Sequence, residues 1–310
     1  MPKHDIIVIG ASAGGVEALQ TLVHQLPFDL PAAVFVIMHV HPRTRSYLPE
    51  ILNRAGKLTA LHAENGTPIQ PGRIYVAPPD RHLLIEREHV HLGMGPKEQH
   101  QRPCINVTFR SAALAYGDRV VGVVLTGQMD DGTAGLWDIK RRGGIAVVQN
   151  PEEALFPSMP LSALREIEAD YTPTLAELAP LLCRLAIGEG EQERTEVEGK
   201  KMEPVLTDVT CPDCRGTIWE VARGNGFEYR CRVGHTYSAR SMLAEHFEAQ
   251  EKALYGAVLA LEEGASLATR LADKVEPELS ERLRDEARER SQQAEVVRKV
   301  LRDRQSFSLE

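Results

Sequence analysis

KHDIIVIGASAGGVEAL, residues 3–19, is the stretch on which the reading of the whole chain turns. Ile6 to Ile9 make an apolar, β-branched run of the kind a buried parallel strand requires, and Val16, Leu19, Leu22 and Val23 recur at helical spacing beyond the glycines. Strand, tight turn and helix are therefore expected in succession, with Ser12 at the tip. Gly10, Ser12 and Gly14 form G-x-S-x-G, in which a sharp turn exposes a serine hydroxyl and leaves the next amide free to face an oxyanion. Gly10, Ser12 and Gly15 also form G-x-S-x-x-G, one substitution from a dinucleotide-binding turn whose helix N-terminus takes a phosphate. On these residues alone both readings stand.

The next apolar run, Ala32 to Met38, separates them further. A dinucleotide fold would place a carboxylate near its end, and the chain instead has His39, Val40 and His41. Parallel strands open on the same side, so His39 can face Ser12 across the crevice as a base. His41 competes for the role but precedes Pro42 in what should already be loop. A third buried run, Arg119 to Leu125, leads into Thr126, Gly127, Gln128, Met129, Asp130 and Asp131. A carboxylate there can orient a histidine or simply cap the following helix.

Between these runs, 43–54 has a helical pattern, 58–62 a weaker strand, and 106–116 a helix. Residues 72–77 and 82–86 look like two short antiparallel strands joined by a turn. The polar stretch 93–103, with Lys97, His100 and Arg102, reads as a surface loop, either bordering a cleft or merely solvated. Residues 145–149 supply another strand, and 159–167 and 175–186 supply helices.

The chain has 310 residues and a formal net charge of -8, which argues against a nucleic-acid phosphate binder. It has neither a signal-peptide pattern nor an apolar run long enough to span a bilayer, so a soluble cytoplasmic protein without membrane insertion is expected. Five cysteines in that setting suit metal ligands or core thiols better than disulfides.

Taken together, IGASAGG at 9–15, MHVHP at 38–42, VAPPDRH at 76–82, RPCINVTFRSA at 102–112 and LTGQMDDGTAG at 125–135, with the 149–152 segment and Met159-Pro160, resemble the catalytic domain of the chemotaxis protein-glutamate methylesterases, the CheB family. The resemblance covers residues 5 to 185. It implies an α/β, doubly wound, mostly parallel sheet and a Ser-His-Asp triad, placing Ser12 as nucleophile, His39 as general base and Asp131 as orienting acid. The reaction so implied is hydrolysis of glutamate methyl esters on a methylated, chemoreceptor-like helical protein within a pathway containing a protein methyltransferase, with glutamine deamidation as a second activity. Catalysis needs no cofactor. Two departures stand out. Gln128 and Met129 replace the family's common M-G before the acidic turn, and Asp130 adds a charge, which together motivate a rival reading as a weakly active scaffold of the esterase fold. The amides of Ala13 and Gln128 remain the oxyanion candidates. The receiver domain often found ahead of this catalytic domain is not in the sequence, so control through an attached receiver is not expected.

Residues 188–205, rich in Glu, Gly and Lys, read as a linker after a catalytic domain at 1–187. Cys211, Cys214, Cys231 and His235 follow as C-x2-C-x16-C-x3-H, the spacing of a structural zinc ribbon, placed at 206–237. Free cysteines or a redox dithiol at Cys211 and Cys214 are the alternatives. Ser238 is positioned to cap a long helix, and Pro277 to separate it from a second, giving a helical hairpin at 238–305. With the linker between them, the ribbon and the esterase are expected to act independently.

Overall fold

The computed structural model describes residues 4–189, 203–223 and 226–303. The opening stretch forms β1 (Ile6–Ala11), a glycine turn and α1 (Gly15–Gln25), and the second apolar run forms β2 (Ala33–Met38). The helix expected from 43 begins only at α2 (Leu48–Ala55). Pro49 explains the late start, because proline lacks an amide donor and is tolerated in a first turn but not inside a helix.

β3 (Thr59–His62) and β4 (Arg73–Val76) then complete one half of a parallel sheet. This corrects the hairpin expected between 72–77 and 82–86. The buried Ile74, Tyr75 and Val76 suit an interior strand, and β4 lies between β2 and β3, whereas β5 (His82–Ile85) pairs antiparallel with β6 (Val90–Gly93). After α3 (Ile105–Tyr116), the chain returns to the sheet as β7 (Val120–Val124), α4 (Thr133–Arg141) and β8 (Ile145–Val148). It closes this part with α5 (Ser158–Glu166) and α6 (Leu175–Ile187).

The six strands run in the order β3-β4-β2-β1-β7-β8, with every neighbouring pair parallel. Alternation along each strand divides the core between two faces. Ile7, Ile9, Val34 and Val36 pack with Leu19 and Leu22 of α1 and Leu182 of α6. Val8, Phe35 and Ile37 pack with Phe109 of α3 and Leu136 and Ile139 of α4. Strand order reverses at β1, which has β2 on one side and β7 on the other. In open sheets of this kind, ligands bind outside the carboxyl ends of the strands at that reversal. The fold is thus doubly wound, and its crevice opens where β1, β2 and β7 end.

Farther along, β9 (Val205–Thr210), β10 (Thr217–Arg223), β11 (Gly226–Cys231) and β12 (Thr236–Ser238) make an antiparallel sheet ordered β12-β11-β10-β9. α7 (Ala239–Ala272) and α8 (Pro277–Asp303) follow. Ser238 Oγ accepts from the Ser241 amide at 3.0 Å, which makes it the cap the sequence suggested. The chain divides into two compact units, 1–241 and 242–310. The four-stranded sheet belongs to the first, tied to the α/β layers by bonds between 98–100 and 236–241. That differs from a ribbon set apart by a linker, most of which (190–202) lies outside the described residues. Within the second unit, Ala265 and Ala268 pack against Leu283 and Ala287, and Glu262 pairs with Arg298. Small residues allow the two helices to approach closely. Among the described residues, no helix is long and apolar enough to cross a membrane.

Candidate active site

Ser12 follows β1 directly, so a buried strand sets its position and the turn into α1 sets its direction. The Ser12 amide donates to the Thr126 carbonyl at 3.1 Å, and Gly14 takes a φ of 72°, a left-handed conformation that glycine adopts without Cβ strain. His39 follows β2, and its amide donates to the Ala11 carbonyl at 3.3 Å. The neighbouring ends of β1 and β2 therefore present serine and imidazole together. His39 Nδ1 lies 3.1 Å from Ser12 Oγ, and its Nε2 lies 2.7 Å from Asp131 Oδ2. His41 instead sits in an exposed turn, its Nδ1 accepting from the Arg43 amide at 3.3 Å.

Asp131 is fully buried and held on all sides. Its Oδ2 also accepts from the Ile105 amide at 2.7 Å, and its Oδ1 accepts from the Asn106 amide at 2.9 Å and the Cys104 thiol at 3.2 Å. These donors stand at the start of α3, where amides have no helical partners of their own. Burial by itself would raise the Asp131 pKa, but the His39 bond and charge, with the two amides, override it and hold the carboxyl below its ordinary range. Burial pushes the Cys104 thiol well above its ordinary range, which keeps it a donor. Asn106 Oδ1 accepts from the Gly132 and Gly135 amides at 3.0 and 2.7 Å, joining α3 to the start of α4. The helical pattern seen from 106 did not disclose this cradle. Its signal was the RPCINVTFRSA stretch, whose Cys, Ile and Asn stand at the helix entrance.

Asp130 points to other partners. It is half-buried, hydrogen-bonded by Ser238 and faced by Asp131, Arg240 and Glu166. Burial raises its pKa to about 6, with the Ser238 bond acting against the rise. Its charge thus meets the second sheet and the start of α7. Across the crevice, a Cβ on Gly127 would come within 2.9 Å of Ser12 Cβ and 2.7 Å of Met159 Cε, so only glycine lets this turn approach the serine. The Gly127 amide is taken by the Phe156 carbonyl at 2.9 Å, and the next amide is that of Gln128.

The second cluster lies in the antiparallel sheet. Ligand atoms of Cys211, Cys214, Cys231 and His235 all fall within 4.8 Å of one another. Cys214 and Cys231 sulfurs are 3.7 Å apart, and His235 Nδ1 is 3.7 and 3.5 Å from Cys211 and Cys231 Sγ. A tetrahedral zinc ion with ordinary bond lengths places sulfurs about 3.8 Å apart and sulfur and nitrogen about 3.6 Å apart. The four residues have the donor set and spacing to hold a metal.

The CheB methylesterase family model matches residues 7–182. The Thermotoga maritima CheB methylesterase catalytic domain is similar in structure, with a TM-score of 0.56 and 32% identity, covering 58% of this chain and 98% of that one. A Leptospira interrogans homologue is 37% identical over 191 residues, 61% of this chain and 99% of its own. Protein-glutamate methylesterase/protein-glutamine glutaminase 2 of Methanosarcina acetivorans is 36% identical over 189 residues, 58% of this chain and 53% of that protein. With its doubly wound sheet and more than half its length matched, the chain belongs to the CheB methylesterase family.

Proposed function

We propose that this protein hydrolyses glutamate methyl esters on chemoreceptor-type helical proteins in the cytoplasm, releasing methanol, and that it also deamidates glutamine side chains. The observation that carries the mechanism is the unbroken relay Ser12–His39–Asp131, with separations of 3.1 and 2.7 Å. Ser12 Oγ attacks the ester carbonyl while His39 Nδ1 takes its proton, and Asp131 stabilises the imidazolium through Nε2 without becoming protonated. The Ala13 and Gln128 amides receive the oxyanion. As the tetrahedral intermediate collapses, His39 returns the proton to the departing methoxide, leaving an acyl-serine and methanol. Water, deprotonated by His39, then attacks the acyl carbon and frees the glutamate and Ser12. A glutamine amide follows the same course with ammonia as leaving group.

Within the ribbon, we infer that Cys211, Cys214, Cys231 and His235 hold a structural zinc ion. Four soft ligands close the coordination shell, which suits a structural metal and leaves the ester chemistry to the relay. The weak-scaffold alternative rests on the altered turn of Gln128, Met129 and Asp130; for Asp130, its partners Ser238 and Arg240 supply a different reason for the carboxylate. Methanol release from methylated receptor by the purified chain, compared with Ser12→Ala, tests the proposal. Release from the unmodified chain alone is expected, and equal release from both would refute it.

A further inference from the structure

Where the antiparallel sheet meets the α/β layers, one short strand lies along one loop. Glu98 bridges Thr236 in parallel, and the Gln99 amide donates to the Thr236 carbonyl at 2.9 Å. The Ser238 amide donates to Gln99 Oε1 at 3.2 Å, and Ser241 Oγ bonds the same oxygen. That strand, β12, starts directly after His235, one of the four metal-holding residues. Its central residue, Tyr237, is fully buried. The Tyr237 hydroxyl donates to Asp213 Oδ2 at 2.8 Å and lies 3.4 Å from Cys211 Sγ, while its ring stands 5.3 Å from the His100 ring. Strand β12 thus joins the metal cluster to residues 98–100 through both backbone and side chains.

The same loop and strand lead to the relay by two routes. Glu98 pairs with Arg110 on α3, the helix whose first amides hold Asp131. Ser238 bonds Asp130, the residue before Asp131, and Arg240 donates to Ser162 of α5 at 3.4 Å. Between these routes lies a cavity of about 250 Å³, lined by Asn106, Asp130, Trp137, Glu228 and Arg240. Polar bonds thus fasten the sheet around an open space. Few buried apolar side chains, chiefly Ile218 and Tyr237, support it from within. A sheet with so small a core depends on its metal for order.

We propose that the ribbon is a metal-dependent clamp on the esterase site. Zinc at Cys211, Cys214, Cys231 and His235 orders β12, and β12 fixes the 98–100 loop and the Asp130 turn, so that Asp131 and His39 stay in register. Gln99, Tyr237 and Ser238 are positioning residues in this arrangement. The inference takes the esterase reading and the metal site as its premises, and it extends them by making turnover depend on a metal that never meets substrate. A relay displaced by a fraction of an ångström loses rate at the chemical step, since misplacement of about 1 Å can cost a hundredfold. Binding of a small ester in the crevice is much less affected.

The test uses the full chain, a small activated ester, and three states: zinc-loaded, chelator-stripped and zinc-restored. Stripping is expected to lower kcat about tenfold with KM changed less than about twofold. Amide hydrogen exchange at 98–101 and 130–132 should rise, exchange in β1, β2 and β7 should not, and zinc should reverse both effects. Gln99→Ala, which leaves all four ligands in place, should retain one zinc per chain, speed exchange at 98–101 and lower kcat severalfold. Unchanged exchange at 98–101 in the stripped chain, or full kcat in stripped chain and Gln99→Ala alike, would overturn the clamp while leaving the esterase reading untouched. If the zinc-loaded chain shows no turnover that Ser12→Ala removes, the esterase reading fails, and exchange alone then decides the clamp.

Discussion

The α/β layers and the ribbon hold their polar groups by opposite means. In the layers, Ser12 and His39 stand at the ends of strands buried on both faces, Asp131 lies in the turn between β7 and α4, and it accepts bonds from four donors. Losing one of those bonds leaves the others in place. In the ribbon, Tyr237 touches Cys211 and Asp213 beside a group of three cysteines and His235 that could hold a metal. The two regions meet at Asp130 and Asp131, adjacent carboxyls shifted in opposite directions by what surrounds them. The same residue type is ionised and oriented where donors converge, and is strained toward its neutral form where burial outruns its partners.

The largest effect belongs to the relay. Ser12→Ala should reduce ester turnover by about 10⁴-fold or more with the fold intact, and His39→Ala should be comparable. His41→Ala, in its exposed turn, should stay within about twofold of the unmodified chain, since it touches no member of the relay. Steady-state rates decide these, and a severe loss at His41 with a mild one at His39 would break the assignment of the base.

Asp131→Asn comes next. Turnover should fall about 10²- to 10⁴-fold, because an amide cannot hold the imidazolium as a carboxylate does. The Asp131 pKa is lowered by folding, so its contribution to stability is present above the ordinary carboxylate range and is lost as pH falls through its folded value. Asp131→Asn should therefore flatten the acid limb of the stability curve, as urea unfolding between pH 3 and 7 will reveal.

Cys211→Ser should cost less, about tenfold in kcat, together with the zinc. Independent modules, as the linker composition suggests, would leave small-ester turnover unchanged. The bonds of Gln99 to Thr236 and Ser238 are the reason for the opposite expectation. Metal content and turnover measured on one preparation distinguish the two.

The smallest effect on rate is expected at Asp130, where Asp130→Asn should leave turnover within severalfold. Its consequence is for stability. A carboxyl raised from 3.8 to about 6 by folding stabilises the folded chain at low pH and ceases to as pH rises through that window. Asp130→Asn removes this dependence, and at pH 8 should be more stable than the unmodified chain by on the order of 2–3 kcal/mol. Unfolding at pH 4 and pH 8 measures it, and equal stability of the two proteins at both values would show that Asp130 is not strained.

What the sequence disclosed follows from which interactions are local. The β1 turn was legible because an apolar β-branched run, three glycines and a helical period are contiguous, and His39 was legible because it terminates such a run. The partner of β4 was not, since pairing in a parallel sheet joins residues distant in sequence, and Arg73–Val76 has the same local texture beside β5 as beside β2. The cradle of Asp131 joins residues 26 positions apart through backbone amides, which carry no residue-type signal. Gln99 and Ser238 are 139 positions apart, so a polar loop that looks solvated in isolation becomes the ribbon's landing site.

The central claim is that Ser12, aligned by His39 and Asp131, removes methyl groups from glutamate side chains. Methanol released from a methylated chemoreceptor by the zinc-loaded chain and by its Ser12→Ala variant measures this most directly. Steady release by the first and none above background by the second is the expected result. Equal release by both, or none by either while the receptor remains methylated, would contradict it.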